Sequence, residues 1–216
     1  MVIVLAPQDG GYKTLGTKII RSGKHYCINS AALDFKPAGA EASAGREAKT
    51  ETATFAAGCF WGIEDQFRRL PGVLSTVVGY TGGTADCPTY SQVCTDKTGH
   101  AEAVQIAFDP SRVSYEELVR FFFSLHDPTQ LNRQGPDVGT QYRSAIFTHS
   151  PQQAESARRV TTEVEKSGRY AGPIVTQIVP ASTFYPAEEY HQRYLEKLRR
   201  RSGANDGGCG TNSCGR

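Results

Sequence analysis

Apolar positions in the middle of the chain follow two periods, and each predicts its own kind of element. Thr54-Phe55-Ala56-Ala57 reads as a short strand, Gly58 as a turn, and the residues beyond it place Phe60, Ile63, Phe67 and Leu70 three or four apart, the spacing of one buried helical face. Pro71-Gly72 ends that helix, and Val73 to Tyr80 reads as a strand that runs into the turn Gly79-Tyr80-Thr81-Gly82-Gly83. Thr84 to Gly99 is loop-like. His100 to Phe108 alternates, which puts Glu102 on the same strand face as Val104, Ile106 and Phe108 before Asp109-Pro110 closes it. Ser114-Tyr115-Glu116-Glu117 is a capping box, followed by Leu118, Val119 and Phe122 at helical spacing.

The polar run Asn132 to Gly139, which contains Asp137, reads as a loop that leads into an alternating strand from Thr140 to Phe147, with Tyr142 on the face of Ser144 and Ile146. Ser150-Pro151 opens a helix that extends through Lys166, and a strand follows at Ile174 to Val179. Pro186 opens the last predicted helix, with Ala187, Tyr190, Tyr194 and Leu198 as its inner face and Lys197 and Arg199 to Arg201 at its negative end. Short strands among helices, joined by turns and by helical crossovers, predict an α+β fold in two layers, a mixed sheet packed against helices.

The ends of the chain lack such periods. Residues 1–51 read as a poorly structured N-terminal extension, with Lys36 to Thr52 as a linker and Cys27 without a role; residues 52–201 read as the catalytic domain, and 202–216 as a flexible, glycine-rich tail carrying Cys209 and Cys214. Lys13, Lys18, Arg21 and Lys24 leave organelle targeting open, although the segment is neither Ser- nor Arg-rich. A reducing compartment such as the cytoplasm is expected, because six cysteines in 216 residues are too few for a disulfide scaffold and no signal peptide is evident. With 24 basic and 22 acidic residues the net charge of +2 argues against a nucleic-acid partner, and no apolar run is long enough for a membrane span. A monomer is expected. Met1 is the only methionine, which fits a protein that works among oxidants.

The candidate chemistry begins at Cys59. A cysteine at the first turn of a helix meets unpaired N–H groups and the positive end of the dipole, which favour a thiolate. Trp61 points away from the Phe60/Phe67 stripe and could form an apolar floor for a substrate; the same residues also fit a buried cysteine and a core tryptophan. Glu102 on an apolar face should hold its proton near neutral pH, unless it lies at the wet end of its strand. Eight extended residues, Ser202 to Cys209, span at most about 26–29 Å, so the tail thiols can cross a small domain's face and serve a disulfide relay. A zinc site from Cys209, Cys214 and one of Cys87, Cys94 or His100 is the weaker alternative, and no metal or cofactor is expected.

Gly58-Cys59-Phe60-Trp61-Gly62, Gly79-Tyr80-Thr81-Gly82-Gly83, Pro88-Thr89-Tyr90, Gly99-His100-Ala101-Glu102-Ala103-Val104 and Asp137-Val138-Gly139-Thr140-Gln141-Tyr142-Arg143-Ser144 resemble, in order, the signatures of A-type peptide methionine sulfoxide reductases, over roughly Thr54 to Leu198. The resemblance implies a ferredoxin-like α+β sandwich and the reduction of methionine S-sulfoxide, free or in proteins. It implies that Cys59 attacks the sulfoxide sulfur, that Glu102 protonates the oxygen with Tyr90, Asp137 and Tyr142 around it, and that Phe60 and Trp61 enclose the methyl group. It further implies Cys209 and Cys214 as resolving cysteines in an order left open, and thioredoxin as reductant. Cys87 and Pro136 depart from the usual pattern, and the first fifty residues have no counterpart in it. A thiol peroxidase and a redox-switched binding module are the competing readings.

Overall fold

The computed structural model describes residues 5–8, 11–14 and 49–202, in two compact units, Met1–Ala44 and Gly45–Arg216. In the first unit β1 (Leu5–Gln8) pairs antiparallel with β2 (Gly11–Thr14), a pairing the sequence pattern does not predict. Most of the predicted linker, Cys27, and the tail cysteines Cys209 and Cys214 lie outside the described residues.

The second unit is built on β3 (Glu51–Ala57), α1 (Phe60–Arg68), β4 (Val73–Thr81), β5 (Ala101–Phe108), α3 (Tyr115–Ser124) and β8 (Ser144–Thr148). Between β4 and β5 lies the short helix α2 (Tyr90–Val93), and between α3 and β8 the two-residue strands β6 (Arg133–Gln134) and β7 (Asp137–Val138) pair with each other. Then follow α4 (Pro151–Lys166), β9 (Gln177–Pro180), β10 (Tyr185–Pro186) and α5 (Tyr194–Arg201). The main sheet has the order β10-β4-β5-β3-β8-β9, antiparallel except for β8 and β9. Its central strands, β4-β5-β3-β8, with α1 and α3 as the crossovers, make the split β-α-β arrangement of a ferredoxin-like fold, as expected.

The period of two divides the sheet into unequal faces. One face carries Phe55, Val78, Tyr80, Val104, Ile106 and Phe108 and packs with Phe60, Ile63 and Phe67 of α1 and Leu118, Val119 and Phe122 of α3. Phe55 is central, its ring 5.2 Å from those of both Phe67 and Phe122. Burial of each such side chain contributes about 1.5–3 kcal/mol. The other face is lined by the smaller Ala56, Ala101, Ala103 and Ala145 beside Phe147. Glu102 therefore projects to the side of Phe60 and α1, as the alternation predicts.

Three differences from the sequence pattern bear on the site. Thr140–Tyr142 is a 3₁₀ turn rather than the start of a strand, because Thr140 donates its N–H and hydroxyl to Asp96 Oδ1 and the Arg143 guanidinium donates to the carbonyls of Thr140 and Gly82. The chain joins the sheet only at Ser144. Second, no helix begins at Pro186. Pro186 pairs with Gly79, and the Gln192 amide accepts from Val78 N–H (3.0 Å) and donates to Val78 C=O (2.9 Å), occupying the place of a strand neighbour. Arg193 then takes a left-handed conformation (φ 50°) and the helix starts one residue later, so Ala187 is buried while Tyr190 (57 % exposed) and Leu198 (49 %) are not the predicted inner face. Third, Asp137 lies on the short strand β7 instead of a loop.

Candidate active site

The sharp turn at Gly58 (φ 85°) makes Cys59 the N-cap residue of α1. A Cβ at position 58 would lie 2.6 Å from Gln134 Cβ, so only glycine lets the β6–β7 hairpin rest here. That hairpin carries Asp137 and continues through Gly139 into the turn that bears Tyr142. Cys59 is half-buried, and its thiol stands at the end of the helix where backbone N–H groups converge.

The next N–H, that of Phe60, donates to Glu102 Oε2 at 3.1 Å. Glu102 is 2 % exposed; burial pushes its carboxyl up to about 7, helped by the negative charge of Asp137 and opposed by the Phe60 N–H. The strand-end alternative, a solvated carboxylate, is thereby excluded. Tyr142 is held far above the usual phenol range by burial first and then by the neighbouring acidic groups Glu102, Asp137 and Cys59, and Tyr90 by burial, by its hydrogen bond with Cys94 and by the acidic groups of Cys94, Glu102 and Tyr142. Both phenols keep their protons and can donate. Tyr142 thus lies near Glu102, Asp137 and Cys59, and Tyr90 near Glu102 and Tyr142, which groups the five side chains around Glu102 and Tyr142.

An aromatic cluster borders this group. The Phe60 ring is 6.5 Å from Trp61 and 6.0 Å from Tyr80, and Trp61 stacks on Tyr194 at 3.9 Å. Sequence periodicity leaves out His191, which is 1 % exposed and accepts a 3.0 Å hydrogen bond from Trp61 Nε1 at Nδ1, with its ring 4.5 Å from Tyr90. Since Nδ1 accepts, the neutral imidazole carries its proton on Nε2, which faces Glu188 Oε2 at 4.0 Å. Glu188 in turn accepts from Tyr80 Oη (2.9 Å) and from Tyr90 N–H (2.9 Å), and so ties α2 to β4. No local signal marks these residues, because their partners lie about a hundred positions away in the chain. Among the described residues no group of three or more His, Cys, Asp or Glu side chains is placed to share a metal ion; the zinc alternative through Cys209 and Cys214 lies outside the described residues.

Such a cluster suits the reduction of a small, oxygen-bearing group by a thiol in a partly apolar cleft, the chemistry of the thiol-dependent oxidoreductases. A sequence model of the family described as peptide methionine sulfoxide reductase matches residues 51–212. The peptide methionine sulfoxide reductase MsrA of Geobacter sulfurreducens is 60 % identical over 153 residues, 71 % of this chain and 94 % of that protein. Methionine sulfoxide reductase A of Corynebacterium diphtheriae has a similar structure, with a TM-score of 0.66 at 41 % identity, over 79 % of this chain and 84 % of that one. Mxr1 from Saccharomyces cerevisiae in complex with Trx2 has a TM-score of 0.50 at 29 % identity, over 69 % of this chain and 87 % of that one. The chain belongs to the peptide methionine sulfoxide reductase family, and it is an enzyme that reduces methionine sulfoxide. Membership of this family sets aside the peroxidase and binding-module readings.

Proposed function

We propose that Cys59 is the nucleophile and Glu102 the general acid. The observation that carries this reading is a buried carboxyl, pushed to about 7, that accepts the N–H of the residue following Cys59. The Cys59 thiolate attacks the sulfoxide sulfur, Glu102 gives its proton to the oxygen, and Tyr90 and Tyr142 donate hydrogen bonds to that oxygen as charge builds on it. Burial, supported by the charge of Asp137, keeps Glu102 protonated. Phe60 and Trp61 enclose the methyl group. Methionine leaves and Cys59 becomes a sulfenic acid, with the sulfoxide oxygen retained as its hydroxyl. The family resemblance carries selectivity for the S epimer.

Residues 52–201 form the catalytic domain in this reading, and Cys209 and Cys214 in the tail resolve the sulfenic acid. The complex of Mxr1 with Trx2 supports a thioredoxin as the reductant that returns the disulfide to thiols. The substrates are sulfoxides in proteins or peptides. The enzyme acts as a monomer in a reducing compartment such as the cytoplasm, without nucleic acid or membrane; no described helix is long and apolar enough to cross a bilayer.

The relay is tested by stoichiometry. With Cys209 and Cys214 both replaced by serine, and no small thiol present, about one sulfoxide is reduced per protein, because the sulfenic acid has no partner. Continued thioredoxin-driven cycling, measured as methionine released per protein, would contradict the relay.

His191 serves as the anchor of the Trp61 wall. His191→Phe keeps an aromatic ring but removes the acceptor of the indole N–H, a hydrogen bond worth about 0.5–1.5 kcal/mol. KM for a sulfoxide peptide should rise roughly two- to twelvefold while kcat stays within about twofold, since the wall binds and does not react. Steady-state kinetics that show an unchanged KM would remove this role.

A further inference from the structure

The catalytic reading leaves unused a set of ionic contacts between α1, which begins at Cys59, and α5, the last helix before the tail. No residue of α5 is buried, so the hydrophobic effect contributes little to holding it in place. It is held by the stack of Tyr194 on Trp61 at its start and by charges further along. Asp65 of α1 is 4 % exposed, and a carboxylate so placed requires partners. Arg199 reaches it from α5 through both terminal nitrogens, at 2.5 and 3.2 Å, while Arg68 (2.8 Å) and Arg69 (3.0 Å) complete its shell from α1. Arg68 also faces Glu196 of α5 at 3.3 Å. Burial pushes the Asp65 carboxyl up, but the guanidinium groups of Arg199, Arg69 and Arg68 outweigh it, and the group titrates below its usual range.

These contacts fix where the tail begins. Tyr194 lies at the site wall, and the eight residues of α5 rise about 12 Å, so the chain leaves the helix about that far along it. The eight residues from Ser202 to Cys209 span at most about 26–29 Å, so the position of the root bounds the volume in which Cys209 can meet Cys59. A loosened root lets the same thiol explore a larger volume, and its effective concentration at Cys59 falls.

We propose that the Asp65–Arg199 pair is a positioning clamp for the resolving half of the reaction, holding α5 on α1 so that a tail thiol is delivered to oxidised Cys59. The inference rests on the relay described above. In the step concerned, the tail thiol sulfur attacks the sulfur of the Cys59 sulfenic acid, the S–S bond forms, the S–O bond breaks, and the hydroxyl leaves with the thiol's proton as water. The sulfenic acid is the oxidant, and no other co-reactant is needed.

Three variants test the clamp: Asp65→Asn, Arg199→Met and Arg199→Lys. The Arg199 side chain is 46 % exposed, so its replacement spares the core even if Asp65→Asn fails to fold. Quenched-flow single turnovers with a sulfoxide peptide report methionine, and alkylation with mass spectrometry reports the Cys59–tail disulfide. In Arg199→Met, methionine formation should stay within about twofold while disulfide formation slows about fivefold. Arg199→Lys, which keeps the charge but not the two-point contact, should recover part of the rate. Raising salt from about 0.05 M to about 0.5 M should slow the disulfide step of the unaltered protein more than that of Arg199→Met, which keeps only the Arg68–Glu196 pair between the two helices. An unchanged disulfide rate in folded Arg199→Met, or an equal slowing of both steps, overturns the clamp alone. Absence of the disulfide from the unaltered protein overturns the relay, and the clamp with it.

Discussion

Cys59→Ser should abolish sulfoxide reduction, lowering kcat/KM roughly 10⁴-fold or more, because a serine hydroxyl stays protonated where a thiol at a helix N-cap can ionise. Sulfur also accepts the transferred oxygen as a sulfenic acid, and a serine oxygen has no equivalent step. The measurement is methionine release with dithiothreitol as reductant, which bypasses the tail. Cys87 and Cys94 are exposed, and appreciable turnover in the serine variant would mean that one of the other thiols attacks the substrate.

Glu102→Gln should slow the chemical step about 10²- to 10⁴-fold and change binding little. Glutamine can still accept the Phe60 N–H and keep the start of α1 in place, but it has no proton to give. An unchanged single-turnover rate would remove Glu102 as the acid. The pH dependence has a defined sign. The working form is protonated, and with the carboxyl near 7 the rate of the unaltered enzyme should fall about tenfold per pH unit above that value, whereas the glutamine variant should be flat there. Stability runs the same way. The folded state holds this proton more tightly than the unfolded chain, whose carboxyl titrates near 4.5, so the penalty for ionising it builds up as pH rises from 4.5 to 7 and is complete above that. At pH 8 the penalty amounts to up to about 3 kcal/mol, and Glu102→Gln removes it. A variant that is slower in turnover yet more resistant to urea is the combined signature, and a mere structural role for Glu102 predicts the opposite stability.

The parts of this fold that were legible in the sequence are those set by neighbours in the chain. The strand, Gly58 turn and helix around Cys59 follow from apolar spacing over a few residues, and the Ser114 capping box forms as its pattern predicts. The placement of Glu102 on the apolar face follows from alternation alone. Tyr142 was misplaced because Asp96 and Gly82, 44 and 61 positions away, curl its segment before it meets the sheet. The last helix starts late for a related reason: Gln192 is spent on the backbone of Val78, 114 positions earlier. Glu64 and Asp65 lie off the Phe60, Ile63, Phe67 and Leu70 stripe of α1, yet both are buried, because Thr76 and Arg199 reach them from other elements and Arg68 from α1 itself. His191 and Glu188 belong to the same class of features, polar side chains whose purpose exists only once distant strands have met.

Trp61 is the only tryptophan of the chain, and the Tyr194 ring lies against it at 3.9 Å. The protein therefore carries a built-in optical gauge at the root of α5. Indole emission depends on what touches the ring, so a stopped-flow trace excited at the indole band should stay level through the disulfide step while α5 is clamped and shift in any variant that frees the helix, and no dye need be attached to see it.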